Sequence, residues 1–384
     1  MSRKFDRDVY VVGVGMHPFR NAHVPVRECA FGAGVAALDD AGLSFRDIET
    51  LYNGYITGFL MDGINYAKDL GMTGLPITHV ENASATGSTA FREAVLQVAG
   101  GHVDCAMALG FDDLHKVQGV GTSRGGMEGI ILPAAFFALW GVRRMHERGT
   151  TIDTFAQIAA KNWNHARFNV NAMRQADHEV TPEEVINSRK IAHPFTSKMA
   201  AGVGQGGACA IVATEKIARR IAAEQGRPLI RVAAAVQQSE QMTDGHIFMG
   251  AVVGPPEMTR TTAREAYEAA GFGPEDISLA QCHDAYPIEE LLYYELLGFC
   301  GDGEGDRLVA DGDTAIGGRI PFSTDGGLIA RGHPGGPTGL AQIHEIALQL
   351  RGEAGRRQVE KARTGLAHMV GAGAVSVINI LEKA

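Results

Sequence analysis

The sequence predicts an α/β fold built from two similar halves, and the main reason is a repeated block of residues. Residues 41–48 combine a helix end, a short turn and the start of a strand, and residues 270–277 repeat this order. In both copies Ala-Gly ends the helical segment and Asp-Ile precedes the strand. A single copy could not bury its apolar face alone, so we expect the two halves to pack against each other.

A second repeat lies further along each half. Residues 85–87 read ATG before a helix predicted over 88–99, and residues 336–339 read GPTG before a helix predicted over 340–351. An apolar strand follows each helix, at 103–110 in the first half and at 373–381 in the second. The chain also opens in the expected order, because apolar spacing predicts a strand over 9–14 and a helix over 26–41.

The segment between the halves differs in composition. Residues from about 115 to 205 are polar and rich in Met, His, Arg and Asn, with helices predicted over 133–149 and 154–168. This composition is typical of an inserted loop domain that covers a ligand. The predicted division is 1–115 for the first part of the N-terminal half, 116–205 for the loop domain, 206–255 for the end of that half and a linker, and 256–384 for the C-terminal half.

Composition excludes several classes of protein. Of the 384 residues, 45% are hydrophobic and 21% are charged, which favours a globular fold over a disordered chain. The net charge of −9 is spread without long runs, so no nucleic-acid-binding surface is expected. Five cysteines, an odd number without a CxxC pair, argue against a disulfide framework or a zinc knuckle and favour a reducing, cytoplasmic compartment. No apolar run reaches the length of a membrane-spanning helix.

Four motifs carry a family resemblance. Residues 80–88 read VENASATGS, residues 282–290 read CHDAYPIEE, residues 326–339 read GGLIARGHPGGPTG, and residues 368–374 read HMVGAGA. In this order they resemble the ENACASGS, HDCF–NE, GGL…GHP.GATG and C-terminal glycine-rich segments of sterol-carrier (lipid-transfer) thiolases. The chain is therefore identified as a member of the thiolase superfamily, of the acetyl-CoA acetyltransferase-like branch.

The resemblance implies a fold, a chemistry and partners. The fold is the thiolase fold, in which duplicated βαβαβ halves form an α-β-α-β-α core that carries an inserted loop domain. The chemistry is the making or breaking of a carbon–carbon bond beside a CoA thioester, with coenzyme A as a substrate and no other cofactor or metal. The implied partners are an acyl-CoA, a second copy of the chain and a small subunit with an OB-fold and a zinc ribbon.

The resemblance also assigns roles to residues. Ser84 occupies the nucleophile position ahead of a helix N-terminus, where backbone N–H groups favour an anion. His333 is the predicted activating base, and His283 is predicted to help hold the thioester oxygen. The predicted supporting residues are Glu81, Asn82, Asp284, Gly332 and Gly371. The predicted substrate-binding residues are Met145, His165 and Gly327.

The sequence departs from the family at important positions. Ser84 replaces the nucleophilic cysteine, and a serine hydroxyl is far less acidic than a thiol. The second family cysteine is also missing, because Ala285 stands in its place. Cys282 is expected to be buried and to face away from its neighbour His283. Tyr286, where the family has phenylalanine, could exchange a proton with a substrate, although a core aromatic is the preferred interpretation.

Three hypotheses follow, in this order. The first is a thiolase-type acyltransferase acting on an aromatic, steroid or branched β-ketoacyl-CoA, in which Ser84 either carries the acyl group or is a replacement for cysteine. The second is a thiolase-fold aldolase that cleaves a β-hydroxyacyl-CoA with Tyr286 and Asp284. The third is a non-catalytic subunit that binds acyl-CoA.

Overall fold

The computed structural model describes residues 5–116, 132–242, 256–372 and 374–384. The strands are β1 (Val9–Arg20), β2 (Thr50–Gly54), β3 (Ile77–Val80), β4 (Cys105–Asp113), β5 (Lys190–Ala192), β6 (Phe195–Thr196), β7 (Gln205–Thr214), β8 (Ile230–Ser239), β9 (Leu279–Gln281), β10 (Thr364–Gly371) and β11 (Val375–Lys383). The helices are α1 (Val26–Ala41), α2 (Asp62–Ala67), α3 (Thr86–Ala99), α4 (Leu132–Arg148), α5 (Ile152–Ala166), α6 (Pro182–Asn187), α7 (Glu215–Gln225), α8 (Pro256–Ala270), α9 (Pro287–Leu296), α10 (Gly305–Ala310), α11 (Gly327–Ala330) and α12 (Thr338–Arg351).

The strand pairing confirms the predicted duplication. Nine strands lie in the order β3-β2-β4-β7-β1-β8-β11-β10-β9, and a single residue pair, Tyr10 with Arg231, joins β1 to β8. Each half repeats one pattern. The parallel pair β2–β4 corresponds to β9–β10, and the antiparallel series β4–β7–β1 corresponds to β10–β11–β8. A parallel bridge between Ala280 and Phe322 takes the place that the β2–β3 pair has in the first half.

The helices form the outer and central layers of the predicted core. Helix α1 packs on β1, β4 and β7, and α8 packs on β8 and β11. Between the two groups of strands lie α3 and α12, which contact each other and strands of both halves. Phe91 and Val95 of α3 share one buried apolar cluster with Ile343 and Ile346 of α12. The α-β-α-β-α arrangement of the thiolase fold is therefore present. Among the described residues, no helix is long and apolar enough to cross a membrane.

Two sequence predictions about the halves need correction. Residues 206–255 were assigned to the first half and a linker, yet β8 pairs with β11 along its length and so begins the second half. The strand that follows α12 was placed at 373–381, but β10 comes first and is the counterpart of β4. The sequence of β10, TGLAHMVG, contains two glycines and a histidine. Such a composition does not favour a strand, and pairing with both β9 and β11 overrides it.

The segment inserted between β4 and β7 contains α4, α5, α6 and the small β5–β6 sheet. The helices predicted over 133–149 and 154–168 correspond to α4 and α5, within two residues at each end. The predicted boundaries at residues 116 and 255 lie in or beside 117–131 and 243–255, which are outside the described residues.

Glycines allow the two central helices to approach closely at their N-termini. A Cβ atom on Gly87 of α3 would lie 2.4 Å from the carbonyl oxygen of Gly336. On Gly339 of α12 it would lie 2.2 Å from Ser88 Oγ. These separations are far below van der Waals contact, so no larger residue fits without moving the backbone. This contact places the loop that precedes α3 next to the loop that precedes α12.

We expect Gly87→Ala to lower the free energy of unfolding by about 2 kcal/mol, because the added methyl group forces the helices apart. Gly32→Ala is the matched control, since Gly32 also lies in a helix and its added Cβ would meet only a side-chain atom, His17 Cδ2, at 3.2 Å. Alanine is the better helix former, so this change should be neutral or stabilising. Urea unfolding followed by circular dichroism measures both variants. Equal midpoints for the two would contradict the close-packing argument.

Candidate active site

Ser84 lies in a tight turn between β3 and α3. The turn is closed by the Ala85 N–H, which donates to the Asn82 carbonyl at 2.9 Å, and by the Thr86 N–H, which donates to the Ala83 carbonyl at 3.0 Å. Ala83 has a φ of +46°, a left-handed conformation that non-glycine residues rarely adopt. This strained residue aims the side chain of Ser84, which is partly exposed, from the N-terminal end of α3.

His333 contacts Ser84 from the loop that precedes α12. Its Nε2 lies 2.9 Å from Ser84 Oγ, and its Nδ1 lies 2.9 Å from Thr338 Oγ1. Burial, with His283 and Arg331 adding to the effect, holds the pKa of His333 well below its ordinary value, so the ring is neutral near pH 7. We assign the proton to Nδ1, where it is donated to Thr338. Nε2 is then free to accept the proton of the Ser84 hydroxyl.

His283 lies beside His333 and completes the group. Its ring stands perpendicular to that of His333, with centroids 5.4 Å apart. Nδ1 lies 2.9 Å from Glu289 Oε1, while the buried Nε2 has no partner among the described residues. With its proton on Nδ1, His283 offers Nε2 as an acceptor. A second proton would make Nε2 a donor to a substrate oxygen, which is the predicted oxyanion role.

Glu289 orients His283. The carboxylate also accepts the Ala285 N–H at 2.9 Å and the Tyr293 hydroxyl at 3.3 Å. Burial raises the pKa of Glu289, opposed by its bonds to His283 and to the backbone. A histidine whose second nitrogen is held by a carboxylate has a fixed ring plane, so the free Nε2 keeps one direction.

Asp284 holds α11 and α5 together. Its Oδ1 accepts the Leu328 N–H at 2.7 Å, and its Oδ2 accepts from Asn162 Nδ2 at 2.8 Å. Burial, together with nearby Glu290, raises the pKa of Asp284 well above its ordinary value. Gly327, a predicted substrate-binding residue, lies against it, because a Cβ there would be 2.0 Å from Asp284 Oδ2. Both residues support the segment that leads to His333.

The other predicted supporting residues lie around the Ser84 turn or in the loop before His333. The Asn82 amide donates to Thr89 Oγ1 at 2.9 Å, and the exposed Glu81 accepts the Ala83 N–H at 2.5 Å. Gly371 packs on this turn, since a Cβ there would lie 2.1 Å from the Asn82 carbonyl oxygen. Gly332, with a φ of +112°, provides the sharp turn before His333.

Three predicted residues have their described contacts elsewhere. His165 is buried, with Nδ1 3.1 Å from the Ser323 carbonyl and Nε2 accepting the Ile316 N–H at 3.3 Å. Tyr286 stacks on Phe137 at 4.7 Å between ring centroids and contacts the tilted ring of Phe195 at 5.2 Å, and burial raises its pKa to about 12. Met145, on α4, is partly buried against the same apolar cluster. The roles given to these three residues remain predictions.

Three further residues contribute to the site without a role predicted from the sequence: Thr338, Gly202 and His368. The Gly202 carbonyl accepts the His333 N–H at 2.6 Å, which fixes the loop of the base from the inserted segment. His368 is fully buried against the edge of Tyr293, and burial lowers its pKa to about 3. Thr338 could have been found from the sequence, because it belongs to the same motif as His333 and begins the helix that follows it. The Gly202 contact leaves no signal in the sequence.

No thiol takes over the missing cysteine role among the described residues at the Ser84 site. Cys282, next to His283, is fully buried, as predicted, and burial raises the pKa of its thiol well above the ordinary value. All five cysteines are free, and four are buried. The reactive groups at the site are therefore a hydroxyl and two imidazoles.

The chain is similar to known proteins along nearly its whole length. The family model described as thiolase C-terminal domain-like matches residues 240–383. Sterol carrier protein 2 of Bos taurus is 36% identical, with 97% of this chain covered and 72% of that protein. The benzoylsuccinyl-CoA thiolase subunit BbsB of Thauera aromatica is 34% identical, with 96% of each chain covered. In structure, the Ltp2-ChsH2(DUF35) aldolase superposes with a TM-score of 0.82 at 25% identity, covering 98% of both chains.

These comparisons confirm the resemblance. The chain belongs to the thiolase family, in the group that includes the thiolase-like sterol carrier proteins, and its function is related to acyl-CoA.

The Ser84–His333 pair can be tested without knowing a substrate. We expect Ser84→Cys to introduce a thiol whose pKa lies below the usual value of about 8.5, because it meets a neutral imidazole and a helix N-terminus. Its alkylation by iodoacetamide at pH 7 should be about tenfold slower when His333→Asn is added. The unaltered protein is the control for the five native thiols. Equal alkylation rates in the single and double variants would show that His333 does not activate residue 84.

Proposed function

We propose that this protein is a thiolase-type acyltransferase that cleaves or forms the carbon–carbon bond of a β-ketoacyl-CoA. The single observation that carries the proposal is the 2.9 Å contact between Ser84 Oγ and the neutral base His333. A nucleophile within hydrogen-bond distance of a base, which is itself oriented by a third group, is the arrangement needed for covalent acyl transfer. Here the third group is Thr338.

In the cleavage direction, Ser84 Oγ attacks the β-keto carbon while its proton moves to His333 Nε2. The bond between the α- and β-carbons breaks, and the fragment that carries the thioester leaves as an enolate, whose oxygen accepts a hydrogen bond from His283 Nε2 when that nitrogen carries a hydrogen. His333 returns its proton to the enolate carbon, a step that a second cysteine performs in the family pattern. His333 then takes the thiol proton of a second coenzyme A as its sulfur attacks the serine ester. The bond from the acyl carbon to Ser84 Oγ breaks, His333 gives the proton to Oγ, and a second acyl-CoA leaves.

The substrate class is proposed from a relative. The chain covers nearly all of a benzoylsuccinyl-CoA thiolase subunit, so an aromatic β-ketoacyl-CoA is the first substrate to examine. β-Ketoacyl-CoA esters with steroid and branched acyl groups are the next substrates to examine. No metal or cofactor besides coenzyme A is needed for the steps above.

We also propose two kinds of protein partner. Strand β3 is the outer strand of its half, and no strand pairs with its free edge among the described residues. An unpaired edge is suited to pairing with the same strand of a second copy, which favours a homodimer. A small partner subunit is supported by the name of BbsB as a subunit and by the pairing of Ltp2 with a DUF35 protein.

A second candidate function is an aldolase acting on a β-hydroxyacyl-CoA. The observation that favours it is the unpartnered Nε2 of His283, a buried acceptor fixed by Glu289. Such a group could take the proton of a β-hydroxyl, after which the carbon–carbon bond breaks without a covalent intermediate. The structural similarity to an aldolase agrees with this route.

Cleavage assays on Ser84→Ala and Ser84→Cys separate these functions. For the acyltransferase, Ser84→Ala should reduce β-ketoacyl-CoA thiolysis by at least about 100-fold, because the group that carries the acyl chain is lost. Ser84→Cys should give a faster reaction and an acyl adduct visible in the intact-protein mass.

The aldolase hypothesis is tested by measuring cleavage of a β-hydroxyacyl-CoA by the same variants. Retained cleavage of that substrate by Ser84→Ala, with loss in His283→Asn, would establish the aldolase and overturn the acyltransferase. If the protein binds both esters but cleaves neither, with or without a candidate partner subunit, both enzyme hypotheses are overturned and the protein is a non-catalytic acyl-CoA-binding subunit. His178→Ala, at an exposed histidine outside the site, controls for effects of histidine removal.

A further inference from the structure

Three side chains outside the Ser84 site converge at one end of the sheet. Asp113 ends β4, His115 follows it by two residues, and His23 lies in the loop after β1. One ligand atom from each of these residues lies within 4.8 Å of the other two. Two imidazoles and one carboxylate form a ligand set that late first-row divalent metals bind well. We propose that His23, Asp113 and His115 form a binding site for a divalent transition metal such as Zn²⁺.

The bonding of His115 supports this assignment. Its Nδ1 lies 2.9 Å from Asp113 Oδ1, and its Nε2 lies 2.7 Å from Asn21 Oδ1. Both ring nitrogens therefore face side-chain oxygen atoms, and Nδ1 points at the carboxylate that would share the ion. A metal bound at Nδ1 would bond the Asp113 carboxylate as well. The remaining N–H is then donated to Asn21, as metal-binding histidines commonly donate their second nitrogen.

The distances fit a coordination sphere after small movements. Ligands of an ion with bonds of about 2.1 Å are about 3.4 Å apart in a tetrahedral site and about 3.0 Å apart in an octahedral one. His115 Nδ1 and Asp113 Oδ1, 2.9 Å apart, reach either spacing with a shift of about half an ångström or less. The His23 ring lies 5.1 Å from the His115 ring, centroid to centroid. His23 is exposed and can rotate toward the ion, so it is the ligand that would move.

The loop of His23 is held in place by the protein. Gln205 is buried at the start of β7, directly opposite Asp113 in the sheet. Its amide accepts the Val24 N–H at 2.5 Å and donates to the Val24 carbonyl at 2.8 Å. The residue next to His23 is thus fixed to the strand pair that carries Asp113. This backbone clamp sets the three ligands near one another before any ion binds.

The site adjoins the loop of the catalytic base. Asp112, the residue before Asp113, accepts the N–H groups of Gly336 at 2.9 Å and of Ile56 at 2.7 Å. It therefore ties the segment between His333 and α12 to the end of β4. A metal bound at Asp113 would brace this strand end, which gives the ion a stabilising role apart from the chemistry at Ser84.

Titration of the untagged, EDTA-treated full chain tests the proposal. We expect calorimetry to show one Zn²⁺ per chain with micromolar affinity, and Co²⁺ to give visible absorption bands of a nitrogen- and oxygen-bound ion. Zn²⁺ should also raise the thermal unfolding midpoint. His23→Ala and His115→Ala should each weaken Zn²⁺ binding at least tenfold, and His23, being exposed, can be replaced without a risk to folding.

His178→Ala is the matched control. His178 also faces two carboxylates, Asp177 and Glu184, but from opposite ring nitrogens, so its groups do not converge. Its removal should leave Zn²⁺ binding unchanged. The proposal is overturned if the native chain shows no saturable binding, or if His23→Ala and His115→Ala bind as the native chain does.

Discussion

The structure depends on the close approach of α3 and α12 at their N-termini. Gly87 and Gly339 let the backbone of each helix touch the other, so the loops that precede both helices share one space. This contact places Ser84 Oγ 2.9 Å from His333 Nε2, although the two residues are 249 positions apart in the chain. The duplicated fold thus contributes one reactive group from each half, and neither half would hold a site alone.

Burial then sets the charges of the site. The pKa of His333 is held well below its ordinary value, and that of His368 falls to about 3, so both rings are neutral at physiological pH. The two carboxylates next to the site, Glu289 and Asp284, do not contact Ser84 or His333 among the described hydrogen bonds and instead position other groups of the protein. Glu289 fixes His283, and Asp284 anchors the segment of Leu328. A neutral base next to a hydroxyl, with the fixed ring of His283 beside it, is suited to a reaction in which negative charge develops on the substrate.

Much of the fold was predictable because short residue patterns of the first half recur in the second half. The repeated Ala-Gly and Asp-Ile pairs, and the glycine-led helices, gave the two halves and their central helices. Residues Ser84, His333 and His283 could be located through motifs. The sequence could not show that β8 begins the second half, since pairing over long distances decides this. Nor could it show the Gly202 carbonyl behind His333, or the convergence of His23 with Asp113, because these contacts join distant segments.

The most direct test of this account is a crystal structure with an amide analogue of a β-ketoacyl-CoA, in which an N–H group replaces the thioester sulfur, so that both carbonyl oxygens are kept and cleavage is slowed. We expect the keto carbon to lie within about 3.5 Å of Ser84 Oγ, a near-attack distance, and the thioester-side oxygen to face His283 Nε2. An analogue bound in the groove between α8 and α9, lined by Arg260, Arg264 and Tyr267, would contradict the assignment of the site.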